Sequence, residues 1–208
     1  RKRIKKAFDN PKHSYVTHAA FKRLEDEILD VVQKENINLV IMGTQGATGA
    51  KEILFGSNTV HVMNKSNVPV IAIPADYGLH APERILFPTD FEIDFDRANL
   101  DFLLQFAKIG HSKVYVLHVS APQGPTEDQE NNRAKMEGMM LEQNHEFFNL
   151  PDQGLIEAIN AFQQEHAIDL IAMVRNKHSF MERLFVEPII KNMGLHSSIP
   201  FMVLPYNL

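Results

Sequence analysis

The sequence predicts an α/β protein built on a parallel sheet, and three observations carry that expectation. Short apolar runs recur without polar alternation, amphipathic segments of helical period lie between them, and the two halves of the chain repeat one another. The runs are NLVIM (38–42), VPVIAIP (68–74), RILFPTD (84–90), KVYVLHV (113–119), DLIAMV (169–174) and IPFMVLP (199–205). Each is short for a helix, rich in β-branched residues and apolar throughout, the pattern of strands buried on both faces. Strands alternating with helices imply right-handed crossovers and hence parallel neighbours.

Taken in order, the chain opens on the basic run RKRIKK, which reads as a solvated face. SYVTHAA (14–20) reads as a strand. FKRLEDEILDVVQKENI reads as a helix with Leu24, Ile28, Val31 and Val32 turned inward and charges outward. After the strand NLVIM comes GTQGATGAKEILFGS (43–57), with four glycines, and then SNTVHVMNKS, a helix expected to be capped by Ser57 or Asn58. VPVIAIP is followed by ADYGLHAPE (75–83), whose Pro, Gly and Ala content marks a linker. Beyond RILFPTD, the segment DRANLDFLLQFAKIG is a helix with Leu100, Leu103, Leu104 and Ala107 on one face, stopped by Gly110. KVYVLHV leads to the polar stretch GPTEDQENN (124–132), read as a loop, and then to a helix carrying Met136, Met139 and Met140 as a core stripe. HEFFNL (145–150) is a further strand candidate, giving the second half five.

The repeat has an offset of 131 residues. Leu24 then meets Leu155, Ile28 meets Ile159, Ile37 meets Ile168, Met42 meets Met173, Pro69 meets Pro200 and Pro74 meets Pro205. The expected organisation is a first module over 1–77 and a second over 84–208. The first has no counterpart of RILFPTDF or KVYVLHV, so it is expected to be incomplete at its start.

The 208 residues carry a net charge of −5, which argues against a nucleic-acid binder, since a phosphate backbone demands a basic face. No apolar run approaches a membrane span, so no membrane association is expected. The absence of cysteine is compatible with a reducing compartment such as the cytoplasm. Ten histidines include no H-x-H or H-x-x-x-H pair, and no metal site is expected. No nucleophile elbow of the form G-x-S-x-G occurs either.

The glycine-rich stretch sits where a buried parallel strand hands over to a helix, the place where open α/β sheets bind ligands. Glycines permit close backbone approach, and helix-start N–H groups favour an anion. Two familiar phosphate motifs are absent: Lys51 lies between Ala50 and Glu52 rather than before Ser or Thr, and G-x-G-x-x-G does not occur.

The spacing G-x2-G-x9-G-S does resemble the ATP-binding motif of the universal stress protein family, behind the expected strand NLVIMGT. RILFPTDF resembles that family's first strand with its acid, VYVLHV its second, and both modules close on a Pro-apolar-Pro strand. The resemblance is to a tandem member. It implies an open parallel five-stranded sheet per module, in order 3-2-1-4-5, of the adenine nucleotide alpha-hydrolase-like, Rossmann-like type. It implies an ATP site in the first module formed by Met42, Gly43, Gly46, Gly56, Ser57 and Asn58, with no metal beyond the magnesium that accompanies ATP. Asp90 is the corresponding contact in the second module, whose loop carries Val174, Lys177, Glu187 and Pro188 at the motif positions and is expected not to bind ATP. The segment 175–185 is basic and aromatic, and reads as packing or as a site for another anion. The resemblance further implies self-pairing of modules through 68–74 and 199–205, within a chain or in a homodimer. The expected role is regulatory, in the stress response, with hydrolysis at most slow because no base stands against the phosphates. The alternative is a nucleotide-free dimerising interaction scaffold.

Overall fold

A computed structural model describes Lys6 and residues 10–44, 56–78, 80–96, 98, 100–120, 123–150, 155–175 and 199–206. The elements in order are α1 (Leu24–Lys34), β1 (Val40–Gly43), α2 (Ser57–Lys65), β2 (Val70–Ile73), β3 (Arg84–Pro88), α3 (Leu100–Gly110), β4 (Lys113–Val119), α4 (Glu127–Met139), β5 (His145–Leu150), α5 (Leu155–Glu165), β6 (Leu170–Arg175) and β7 (Phe201–Pro205). All six apolar runs and HEFFNL form strands. They join in one sheet of order β1-β2-β7-β6-β3-β4-β5.

Residues 84–208 contribute β5-β4-β3-β6-β7, all parallel, which is the order expected for five strands. The sheet nevertheless has seven strands rather than five. β2 adds to β7 antiparallel, with Val70 opposite Val203, Ile71 opposite Met202 and Ala72 opposite Phe201, and β1 follows β2 in parallel. An unpaired apolar edge would leave a row of backbone polar groups open, and mutual pairing of β2 and β7 closes two such edges at once. β2 and β7 therefore each have a neighbour on both sides.

The repeat holds in register. β1 pairs with β2 as Val40↔Val70 through Gly43↔Ile73, and β6 pairs with β7 as Ile171↔Phe201 through Val174↔Leu204, the same pairs displaced by 131. Successive residues of these strands point to opposite faces, and both faces are covered. On one face Val70, Ala72, Ile171, Met173, Phe201 and Val203 pack with Val32 of α1, Val62 and Met63 of α2 and Ile159 and Phe162 of α5. On the other, Ile71, Leu170, Ala172, Met202 and Leu204 pack with Leu100, Leu103 and Ala107 of α3 and with Met136 and Met140 around the end of α4.

Three expectations need correction. The strand expected over 14–20 does not form, and these residues are largely exposed. A strand requires a hydrogen-bonded neighbouring strand, and 14–20 pairs with none of the described strands. β1 is correspondingly an edge, where Ile41 is 60% exposed while its repeat counterpart Ala172 is fully buried. Second, Leu24 is exposed rather than inward-facing, and Glu25 is buried in its place, in the first turn of α1 where the helix dipole favours a carboxylate. Third, the stretch 124–132 is not all loop. Thr126 caps α4 by accepting from the Gln129 N–H, and the Gln129 side chain accepts from the Thr126 N–H, so the helix begins at Glu127.

The linker is pinned where it enters β3. The Asp169 carboxylate accepts from the Glu83 and Arg84 N–H groups at 2.9 Å each, and the Ser112 hydroxyl donates to Pro82 O at 2.6 Å. Tyr77, its ring tilted against that of His80 with centroids 4.6 Å apart, has a buried hydroxyl with no hydrogen-bond partner among the described residues. Burial, and secondarily the charge of Asp169, raise its pKa above the ordinary 10.0. The unfolded chain ionises first, so stability held below the ordinary value is lost as pH rises through the folded one. Tyr77→Phe removes both the orphaned hydroxyl and the titration. The urea midpoint of that variant is predicted to be unchanged or higher at neutral pH and to fall less at alkaline pH. A neutral-pH loss of more than about 1 kcal/mol contradicts the assignment.

Candidate functional site

The glycine stretch begins at the carboxyl end of β1. Gly43 is the last strand residue, and a Cβ placed there would meet nothing within 4 Å among the described residues. Thr44, buried, donates its N–H to Ile73 O at 3.0 Å, which keeps the chain against β2 for one residue more. The returning chain is fastened at the same place, for the Gly56 N–H donates to Thr44 O at 2.7 Å. Residues 45–55, Gly46 among them, lie outside the described residues.

α2 starts immediately after this closure. Its cap is Gly56, in extended conformation (φ −62°, ψ 152°), rather than Ser57 or Asn58 as expected. Glycine offers no side-chain oxygen, so the first-turn N–H groups receive no side-chain cap. The first turn contains no acidic residue, and Ser57 and Asn58 are exposed. An exposed helix start with a positive dipole and no side-chain cap is suited to an anion. The hydroxyl of Thr59, itself buried, donates to Gly43 O at 3.0 Å and ties the helix to the strand end. Met42, half-buried, packs into the core beneath.

Met42, Gly43, Gly56, Ser57 and Asn58 are thus brought to one end of the sheet by β1 and α2. Asp90 is not with them. It follows β3, half-buried, and its Oδ1 accepts the Glu92 N–H at 3.0 Å. Because β2 runs antiparallel to β7, the carboxyl ends of β1 and β2 lie at one end of the sheet, and those of β3 to β7 lie at the other. Asp90 and Gly43 therefore occupy opposite ends.

The Asp90 end is closely filled. The Gln129 side chain donates to Asp90 O and Asn132 donates to Phe91 O, both at 2.9 Å, which fastens α4 over the loop. His118 is buried, with its Nδ1 3.0 Å from Thr89 O and its ring 5.0 Å from that of Phe91. Val174, at the register position of Gly43, is 6% exposed and packs into the core. Lys177, Glu187 and Pro188, and the rest of 175–185 beyond Arg175, lie outside the described residues. No group of three or more His, Cys, Asp or Glu side chains is placed to hold a metal among the described residues, and none of their helices is long and apolar enough to cross a membrane.

Thr44 and Thr59 carry no motif signature, and sequence reasoning missed them. Their roles come from where the strand end and helix start meet.

An open, mostly parallel α/β sheet with a glycine-framed turn at a strand end defines a class of ligand-binding folds rather than one protein. The comparisons narrow it. Residues 1–74 match the model of the universal stress protein family. A universal stress protein of Methanocaldococcus jannaschii is 44% identical over 48 residues, 23% of this chain and 30% of that protein. A universal stress protein structure from Archaeoglobus fulgidus superposes with a TM-score of 0.61 at 23% identity, covering 88% of this chain and 65% of that one. A putative universal stress protein from Pseudomonas aeruginosa superposes with a TM-score of 0.67 at 12% identity, covering 99% of this chain and 77% of that one. Residues 1–74 thus carry the sequence signature of the universal stress protein family, and the chain shares the fold of the solved universal stress proteins. It spans about two thirds of the Archaeoglobus structure's length and matches less than a third of the Methanocaldococcus relative.

Thr59→Val deletes the hydroxyl that joins α2 to the end of β1 while keeping its volume. It leaves Gly43 O without that donor and is predicted to cost about 1–2 kcal/mol, read as a lower urea midpoint. A wild-type midpoint would show that the bond does not hold the turn closed.

Proposed function

We propose that this chain is a tandem universal stress protein whose first module binds adenine nucleotide, with ATP, accompanied by magnesium, at the turn between β1 and α2. The observation that carries the reading is the exposed α2 start with no side-chain cap and no first-turn acid, set beside a Gly43 that no described side chain or backbone atom crowds. Phosphate oxygens would accept from the first-turn N–H groups of α2, and the glycines would let the backbone come close enough to reach them. Gly46 completes the motif G-x2-G-x9-G-S with Gly43 and Gly56. The identical strand register of the two halves supports the tandem reading.

The role that follows is regulatory binding in the stress response, in the cytoplasm. Among the described residues no carboxylate or histidine is bonded into the turn, so nothing there favours rapid hydrolysis. Val174 fills the position that Gly43 leaves open, which favours binding in the first module over the second. Segments 68–74 and 199–205 are already paired through β2 and β7, so a homodimer would use another surface.

A second reading, a nucleotide-free interaction scaffold, has one observation in its favour. The first-strand acid of the second module, Asp90, stands at the other end of the sheet from the glycine turn and cannot serve it.

Gly56→Glu separates the two. Gly56 has an ordinary negative φ, so a side chain there strains no backbone, yet it adds a carboxylate where phosphate would lie. Calorimetric titration is predicted to show ATP binding to the wild type and none to the variant, with circular dichroism unchanged. Equal affinity in both proteins refutes the site, and no binding by a folded wild type favours the scaffold.

A further inference from the structure

α2 has nine residues, roughly 13 Å of helix, too short to be stable without tertiary anchors. Two anchors hold its beginning: the Gly56 N–H on Thr44 O and the Thr59 hydroxyl on Gly43 O. Its far end is held by the other module. Met63 O is among the last four carbonyls of the helix, which have no intrahelical donor of the usual kind. The Ser66 N–H takes Val62 O at 2.8 Å, and Met63 O accepts from Arg175 Nη1, also at 2.8 Å.

Arg175 is the last residue of β6, 112 positions along the chain from Met63. The contact exists because β2 and β7 are antiparallel: the end of α2 that leads into β2 lies where β6 and β7 finish. A guanidinium at a helix carboxyl terminus also meets the negative end of the dipole. The site is desolvated, with Met63 fully buried and burial lowering the Arg175 pKa from its ordinary value. An unpaired Met63 O would cost more there than at the surface.

We propose that Arg175 is a positioning residue for the glycine turn: by holding the last turn of α2 it fixes the orientation of the helix start that would receive phosphate. The inference rests on the nucleotide reading for its ligand, but its mechanical content concerns the protein alone. Arg175 joins the carboxyl end of the second module to the candidate site of the first, at the opposite end of the sheet.

The test compares Arg175→Met, which keeps bulk and removes the donors, with Arg175→Lys, which keeps a charged donor. In the nucleotide-free full chain, Arg175→Met is predicted to speed hydrogen exchange of the amides of residues 60–63 about tenfold while leaving β4 and β5 unchanged. ATP affinity should weaken about three- to tenfold, and Arg175→Lys should recover most of both effects. The proposal is overturned if the 60–63 amides exchange as in the wild type. It is equally overturned if they accelerate by the same factor as β4 and β5, since that is only global destabilisation. Failure of the nucleotide reading is read separately, from the absence of ATP binding by the wild type.

Discussion

The antiparallel pairing of β2 with β7 is the constraint on which the rest of the molecule depends. It converts two sets of parallel strands into one sheet and buries Val70, Ala72, Phe201 and Val203 against one layer of helices, with Ile71 and Met202 facing the other. Its direction matters as much as its existence. Because the two strands run oppositely, the carboxyl ends of β1 and β2 and those of β3, β4, β5, β6 and β7 lie at opposite ends of the sheet. The glycine turn stands at one end and Asp90 at the other. The same geometry delivers Arg175 to the last turn of α2.

The two ends differ chemically although their strands share a register. At Gly43 the backbone is bare and exposed, whereas at Val174 a side chain fills the core. Below Asp90, Gln129 and Asn132 fasten a helix over the loop and His118 is buried against Phe91. Among the described residues, one end carries a helix start without a side-chain cap and the other a loop tied down by side-chain hydrogen bonds.

Much of this was legible in the sequence because both faces of the strands are buried. NLVIM, VPVIAIP and IPFMVLP cannot alternate when each face meets a helix layer, and runs of that kind announce themselves. The place of the turn between β1 and α2 was legible for a local reason, since a glycine-rich stretch follows a buried apolar run there. Other features depend on neighbours the local sequence does not name. SYVTHAA has strand character but joins no strand of the described sheet. Leu24 and Glu25 exchange faces because the start of α1 sits at the margin of the core. The capping box of Thr126 and Gln129 was readable and had been hidden by the polarity of the residues around it. Thr44, Thr59 and Arg175 act through backbone carbonyls, and no spacing rule points from Arg175 to Met63.

The central claim is that nucleotide binds at one end of the sheet only. It is tested most directly by following the backbone amide resonances of the full chain as ATP and magnesium are added. The account predicts shifts concentrated at Gly43, Gly56, Ser57 and Asn58, with Thr89, Asp90 and Val174 undisturbed. Shifts centred on those last three, or none anywhere at millimolar ATP, would contradict it.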